Sequence, residues 1–160
     1  ISPHRMALST VNREGTSFTL IDDSFNANPD SMKAGLNGLK AWNSNDGKEP
    51  FRVALLGAML ELGADETALH TSIGTYADEL GIDAIIAVGS AQDQHLDALA
   101  QALADGARQS QSASVDCVHD IDAAEQLVID LARNHPDAVV LLKGSHASGL
   151  SALAERWAKN

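Results

Sequence analysis

The run Ala138-Val139-Val140-Leu141-Leu142 is apolar at every position. A strand with one face in water alternates apolar and polar residues, whereas a strand covered on both faces reads as a continuous apolar run. Such strands are typical of parallel sheets that carry helices on both faces. This short segment therefore points to an α/β fold in which crossover helices connect the strands.

The remaining strands follow from apolar, β-rich runs separated by turn residues. The segment Asn12-Arg13-Glu14-Gly15 predicts an antiparallel hairpin between the first two runs. The predicted strands cover residues 5–11, 17–21, 51–56, 84–88, 115–118 and 138–142. We therefore predict a Rossmann-like, doubly wound open sheet of about six strands, mostly parallel, with one antiparallel strand from the N-terminal hairpin.

Helices are predicted where apolar residues recur at the spacing of one buried helix face. The clearest of these stripes lie within residues 69–80, 96–103, 124–131 and 150–157, and we interpret them as core. Gly81 stands where the first of these helices needs a C-terminal cap. The 160 residues fit one compact domain, so we predict a single domain over residues 1–160.

The amino-acid composition limits the classes of partner that we expect this chain to bind. With 11 basic and 22 acidic residues the net charge is −11, so we expect no nucleic-acid partner. No apolar run approaches the roughly 20 residues that span a bilayer, so we expect no membrane partner. Cys117 is the only cysteine, which suits a reducing cytosol, and we expect it to be a buried, inert thiol. The start at Ile1, without Met, leads us to expect a processed or cut chain.

Ligands of open α/β sheets bind beyond the carboxyl ends of the strands. The segment 22–32 follows a strand there, and its Asn28-Pro29-Asp30 has the residue types of a helix start. For those three residues, capping and ligand binding remain equally open. Capping does not explain Asp22-Asp23 or Asn26, and a carboxylate at this edge can accept the hydroxyl hydrogen bonds of a ribose or another sugar.

A second segment, residues 142–150, follows the last strand. Lys143 supplies a positive charge, Gly144 allows a ligand to approach the backbone, and Ser145 and Ser148 offer hydroxyls beside a helix start. This pattern suits a carboxylate or a phosphate. The alternative is a solvated loop in which Ser148 is an ordinary N-cap.

A third segment, residues 55–63, has glycines around an apolar loop, which suggests tight packing under a site. We interpret Met59, Leu60 and Leu62 as core residues, and His70 on the next helix as a satisfied, partly buried histidine. Phosphate-loop, dinucleotide-binding and metal-ligand patterns are missing from the sequence. We therefore predict a ligand-positioning domain without a complete catalytic apparatus.

The segments DDSFNANPDSM (22–32), LGAMLELG (56–63) and LKGS (142–145) closely resemble, in this order, the C-terminal domain of the Mur ligases. The first is most similar to the branch that adds D-alanyl-D-alanine. The resemblance runs from Arg5 to the last helix. It implies a cytoplasmic, monomeric, three-domain ligase of peptidoglycan synthesis whose phosphate loop, Mg²⁺ ligands and UDP-sugar site lie on its other two domains.

In that family ATP phosphorylates the carboxylate of UDP-MurNAc-tripeptide, and the amine of D-Ala-D-Ala attacks the acyl phosphate. The resemblance implies that this domain closes to hold part of the ATP and to present the amine, and that it is inactive alone. The residues that match nucleotide-binding positions are Arg5 (phosphates), Asp23 (ribose), Asn26 and Asn28. Those that match the dipeptide loop are Lys143, Ser145, His146 and Ser148.

Three positions depart from the family pattern. His4 replaces a usual glycine, Ala58 a frequent acidic residue, and His146 a common arginine, so a cationic contact from position 146 becomes pH-dependent or is lost. Three alternatives stay open: a stand-alone receiver-like signalling module, although its phospho-acceptor Asp is missing; a diaminopimelate-adding, lysine-adding or folylpolyglutamate-type ligase; and a degenerate homologue that only binds a partner.

Overall fold

The computed structural model describes residues 4–159 and confirms the predicted α/β fold. Its strands are β1 (Ala7–Arg13), β2 (Thr16–Asp22), β3 (Arg52–Gly57), β4 (Ala84–Val88), β5 (Ser114–Val118) and β6 (Val139–Lys143). Its helices are α1 (Pro29–Ala41), α2 (Glu66–Glu79), α3 (Gln94–Ala107), α4 (Ile121–Asn134) and α5 (Leu150–Ala158). None of the described helices is long and apolar enough to cross a membrane.

The six strands form one sheet in the order β1-β2-β6-β3-β4-β5. Only β1 is antiparallel; the other neighbours pair in parallel. The last strand, β6, lies between β2 and β3, which explains its continuous apolar sequence. The register pairs Asp22 with Leu142 and Leu56 with Lys143, so the carboxyl ends of these three central strands lie level.

The N-terminal hairpin is confirmed with a shorter turn than predicted. Arg13 pairs with Thr16, so only Glu14 and Gly15 form the turn, with φ of 50° and 77°. The first strand begins at Ala7 rather than residue 5, because positive φ angles at residues 4 and 6 turn the backbone out of the extended conformation. The segment 4–6 contacts the end of β2 instead.

Helices cover both faces of the sheet. Helices α1, α2 and α3 pack on one face around Leu36 and Ile73, and α4 and α5 pack on the other around Val128 and Trp157. The indole of Trp157 donates to Glu125 Oε2 at 2.7 Å, which satisfies its buried N–H. These two layers hold the sheet rigid, so the loops at its carboxyl edge are set on a fixed base.

Several local predictions are confirmed. Asn28 caps α1 by accepting from Ser31 N at 2.9 Å, and Ser31 Oγ accepts from Asn28 N in return. Gly81 follows the C-terminus of α2 with a φ of 74°. Cys117, in contrast, was expected to be buried and is only half-buried on the edge strand β5. Burial, followed by the charge of Asp97, raises the pKa of its thiol, and its inertness stays a prediction.

Candidate functional site

The loops that follow β2, β3 and β6 enclose a cleft of about 540 Å³ at the carboxyl edge of the sheet. The three loops contribute, in order, Asn26, Ala27 and Asn28; Leu60, Glu61 and Leu62; and Ser145, His146 and Ala147. Two of its walls carry amide, hydroxyl and imidazole groups, while the third combines two leucine side chains with the carboxylate of Glu61. We name it the main cleft.

Lys143 and Asp23 form a shielded ion pair beside the main cleft. The Lys143 Nζ lies 2.7 Å from Asp23 Oδ2, and the two side chains are only 3% and 14% exposed. The same ammonium donates to the backbone oxygen of Asn26 at 3.1 Å. Lys143 thus faces the β2–α1 loop rather than solvent, and its direct contact with a ligand stays a prediction.

The second oxygen of Asp23 accepts from the backbone N of Met6 at 3.1 Å. This carboxylate therefore joins the end of β2 to both β6 and the segment 4–6. A carboxylate has about four acceptor directions, so a ribose hydroxyl could still use those that remain. The predicted ribose contact of Asp23 stays a prediction.

Asp22, the neighbouring acid, points to a different group of side chains. It accepts from Ser24 Oγ at 2.5 Å and from Ser24 N at 3.1 Å, and lies 2.6 Å from His4 Nδ1. The other ring nitrogen of His4 lies 3.3 Å from Glu155. Burial opposes protonation of His4, but the hydrogen bonds and charges of Asp22 and Glu155 outweigh burial and raise the pKa of His4 above its ordinary value.

A smaller cleft of about 230 Å³ lies next to this group. Its lining is His4, Ser24, Phe25, His146, Ser151 and Glu155. The guanidinium of Arg5 lies 4.0 Å from the centre of the Phe25 ring, which is 53% exposed. His146 therefore forms a wall of both clefts, and Arg5 stands at the rim of the smaller one with its charge accessible to an anion.

The β6–α5 loop is held by its own backbone and hydroxyls. Ser145 is 4% exposed, its N–H donates to Ala58 O at 3.0 Å, and its Oγ has no hydrogen-bond partner among the described residues. Ser148 Oγ donates to Ser145 O at 2.6 Å. Helix α5 begins only at Leu150, after Gly149 with a φ of 82°, so Ser148 is not its N-cap. Ligand contacts by Ser145 and Ser148 stay predictions.

Gly144 does not leave the backbone open to a ligand, as the sequence suggested. A Cβ at this position would lie 2.8 Å from both Gly57 Cα and Ser148 Oγ, so protein already fills the space. Gly57 is equally crowded, because its Cβ would lie 2.4 Å from Ser148 Cβ. These glycines bring the ends of β3 and β6 into backbone contact, so the tight packing predicted for residues 55–63 is confirmed at Gly57. It is wrong at Gly63, where a Cβ would meet nothing within 4 Å.

The interpretation of His70 as a satisfied histidine is confirmed. Met59 N donates to its Nε2 at 2.9 Å, and its Nδ1 donates to Glu66 O at 2.7 Å. Burial is the main cause that lowers the pKa of His70, so the neutral ring accepts from the backbone as drawn. His70 fixes the β3–α2 loop from below and takes no direct part in the main cleft.

Sequence reasoning missed part of the lining. Leu60 was interpreted as core, but it is 38% exposed and lines the main cleft, because Glu61 and Gly63 have positive φ and turn the loop outward. A positive φ at a glutamate leaves no signal in a sequence. Ser24 and Glu155 at the smaller cleft were also missed. Residues 4–159 hold no group of three His, Cys, Asp or Glu placed to bind a metal ion.

Residues 4–146 match the family model "Mur ligase, glutamate ligase domain". The chain is 38% identical, over 97% of its length, to UDP-N-acetylmuramoyl-tripeptide–D-alanyl-D-alanine ligase of Mycobacterium tuberculosis (strain ATCC 25618 / H37Rv) and covers 31% of that protein. It thus spans about a third of the length of the curated relatives that it matches.

Solved structures give the same fold. MurF from Acinetobacter baumannii superposes with a TM-score of 0.74 at 24% identity over 99% of this chain and 31% of that one. MurF ligase from Thermotoga maritima in complex with ADP gives 0.67 at 21%, over 99% and 31%. Folylpolyglutamate synthase of Mycobacterium tuberculosis, complexed with ADP and AMPPCP, gives 0.58 at 20%, over 97% and 32%. At these identities the likeness shows the fold alone.

Proposed function

Because the chain belongs to the Mur ligase family, we propose that it is the substrate-positioning domain of an ATP-dependent ligase that joins D-alanyl-D-alanine to UDP-N-acetylmuramoyl-tripeptide. The 38% identity to a ligase of that name, over nearly the whole chain, supports this choice. The same membership argues against the receiver-like alternative. The UDP-sugar site and the phosphate loop are proposed to lie on further domains of the same protein.

The observation that carries the proposal is the composition of the main cleft. Its volume of about 540 Å³ lies in the usual range for small-molecule sites. Asn26, Asn28 and His146 offer hydrogen-bonding groups to the amide and carboxylate of a dipeptide, and Leu60 and Leu62 offer apolar contact to its two methyl groups. The same loop contributes the carboxylate of Glu61, which can accept from the amino group of a dipeptide and disfavours an acidic side chain.

This arrangement changes the grouping of the binding residues. Asn26 and Asn28, which the resemblance places on the nucleotide, lie in one cleft with Ser145 and His146 of the dipeptide loop. Asn28 already uses Oδ1 to cap α1, so its Nδ2 is the atom that would donate to a ligand. We therefore assign all four residues to the dipeptide.

The nucleotide would meet the same edge of the sheet, beside the smaller cleft. Arg5, supported on the Phe25 ring, supplies a positive charge for the phosphates, and the remaining acceptor directions of Asp23 suit a ribose. The family resemblance places the Mg²⁺ ligands of the ligase on another domain, and residues 4–159 hold no group of three His, Cys, Asp or Glu placed to bind a metal ion. ATP, when bound there, supplies the activation of the acceptor carboxylate as an acyl phosphate.

The contribution of this chain to catalysis is then positioning. Both clefts open at one sheet edge and share His146, so a domain that closes over the acyl phosphate brings amine and nucleotide contacts in together. Closure of the wall around Leu60 also excludes water, which would otherwise hydrolyse the acyl phosphate.

The test is phosphate release by the full-length protein with ATP, UDP-MurNAc-tripeptide and a panel of amines. We expect D-Ala-D-Ala to give the highest kcat/KM, and diaminopimelate, lysine and glutamate to give little or none. A preference for any free amino acid would overturn the proposal. The glutamate arm, with a folate acceptor, tests the second candidate, which the likeness to folylpolyglutamate synthase raises at the level of fold alone.

A further inference from the structure

The buried ion pair of Lys143 and Asp23 lies beside the main cleft without lining it. Lys143 is 2% exposed and has its ammonium 2.7 Å from the carboxylate of Asp23 and 3.1 Å from Asn26 O. Both partners belong to the stretch that leads from β2 into the cleft wall. A single side chain from β6 therefore holds the loop that carries Asn26 and Asn28.

Helix α1 is shaped to let this side chain pass. A Cβ at Gly35 would lie 2.8 Å from Lys143 Cδ and 3.3 Å from Asp23 Oδ2. A glycine inside a helix costs about 1 kcal/mol relative to alanine, so its presence calls for a packing reason. Here the reason is room for the lysine stem between α1 and the end of the sheet.

We propose that Lys143 is a positioning residue for the dipeptide: it sets the β2–α1 loop, and thereby the amide groups of Asn26 and Asn28, rather than touching the dipeptide carboxylate. The identity of the dipeptide in this inference rests on the proposed function. The positioning of the β2–α1 loop by Lys143 rests on the geometry alone. Burial of the ammonium and its two partners in the loop leave it directed away from the cleft.

Two variants of the full-length ligase test this. Lys143→Met removes the ammonium and keeps an unbranched stem, and Gly35→Ala displaces that stem from a helix that does not line the cleft. We expect each to raise the dipeptide KM by roughly 10- to 100-fold, the effect of losing about one or two hydrogen bonds from the displaced Asn26 and Asn28. Gly38→Ala is the matched control, because its Cβ would meet only the tip of the exposed Met6 side chain.

The substrate D-alanyl-D-alaninamide, which lacks the carboxylate, separates positioning from direct contact. Positioning predicts the same loss with D-Ala-D-Ala and with its amide. A loss confined to D-Ala-D-Ala in Lys143→Met would show a lysine–carboxylate contact and overturn the proposal. A fall in kcat at unchanged KM would show that the position of the loop does not govern dipeptide binding, and would overturn it as well.

A second measurement, on the 160-residue chain itself, does not depend on ligase activity. In ¹⁵N NMR spectra we expect the amide signals of Asn26 and Asn28 to move in Lys143→Met and Gly35→Ala, while that of the distant Gly81 stays in place. Unchanged loop signals in both variants would overturn the positioning role. If the signals move but the full-length protein does not use D-Ala-D-Ala, the role of Lys143 in positioning the loop stands. The proposed substrate is then rejected.

Discussion

Among single side chains, His146 lies in the most informative place, because it lines both clefts and is exposed. His146→Ala should raise the dipeptide KM of the full-length ligase about three- to tenfold, as expected for the loss of one hydrogen bond worth about 1 kcal/mol. Steady-state kinetics with varied dipeptide measure this effect. An unchanged KM would remove His146 from the site.

His4 gives a prediction about pH. Because its pKa is raised in the folded chain, its bonds with Asp22 and Glu155 stabilise the fold fully below the unfolded value of 6.5, and that stabilisation is lost as the pH rises through the folded pKa. Urea unfolding of the wild type and of His4→Asn should therefore differ more at about pH 5.5 than at about pH 8.5.

The pKa of His70 shifts in the opposite direction to that of His4, so the two histidines change stability with pH in opposite ways. The lowered pKa of His70 means that its stabilisation is present above 6.5 and is lost as the pH falls. Comparing wild type with His4→Asn at each pH cancels this background, because His70 is common to both proteins. An equal difference in unfolding free energy at both pH values would contradict the role given to His4.

The position of a side chain could be predicted only where the sequence carries a cue for it. That Asp23 and Lys143 lie at one edge of the sheet follows from where parallel strands end, whereas their ion pair has no cue in the sequence. The interpretation of His70 as a satisfied, partly buried histidine follows from its residue type and its position beside Leu69. The outward turn of Leu60 depends on a positive φ at Glu61, which only the folded loop shows. The burial of Lys143 was missed because its signal, the glycine at position 35, lies on a different element.

At the scale of elements, α2 and α3 cross at two glycines. A Cβ at Gly74 would lie 1.9 Å from Leu103 O, and one at Gly106 would lie 2.0 Å from Thr71 O. Gly74→Ala must therefore separate two helix backbones, and we expect it to lower the free energy of unfolding by about 2 to 4 kcal/mol. Chemical denaturation measures this change.

The control for that prediction is again Gly38→Ala on α1. It removes a helix glycine where only the flexible Met6 tip must move, so we expect stability to stay constant or to rise by up to about 1 kcal/mol. Equal effects of the two substitutions would show that the crossing tolerates a methyl group and that the close approach of the helices is not needed.

Elements were predictable where their pattern is local. The capping box of α1, the glycine after α2 and the hairpin each depend on residues within one short segment. The boundaries of elements were less predictable. The hairpin turn has two residues rather than four. Strand β1 starts at Ala7 because segment 4–6 turns to form a hydrogen bond at the end of β2. That bond joins residues 17 positions apart, which no local pattern encodes.

For the molecule as a whole, the separation of roles predicts that the isolated chain folds but does not hydrolyse ATP. The proposed function places the phosphate loop and the Mg²⁺ ligands on further domains, and both clefts of this chain are open to solvent. We expect no ATP turnover above background and only weak binding of D-Ala-D-Ala, measurable by NMR titration. ATP turnover by the purified chain would contradict this.

The topology was predictable in outline, since one apolar run identified a doubly covered strand. The order of the strands could be read only from their pairing in the structure. The sequence does not show that β6 lies between β2 and β3. That insertion brings residues 23 and 143, 120 positions apart, to one place. The family resemblance places both residues in ligand-binding loops, Asp23 at the ribose and Lys143 at the dipeptide, and does not pair them.

The backbone contact between Gly57 and Gly144 limits how the specificity of this domain can be altered. Neither position carries a side chain, and any larger residue would push the ends of β3 and β6 apart. A mutant library aimed at new amine substrates should therefore leave both glycines untouched and vary the rim, at Leu60, Leu62 and His146. Evolution of new selectivity in this scaffold would have to take the same route.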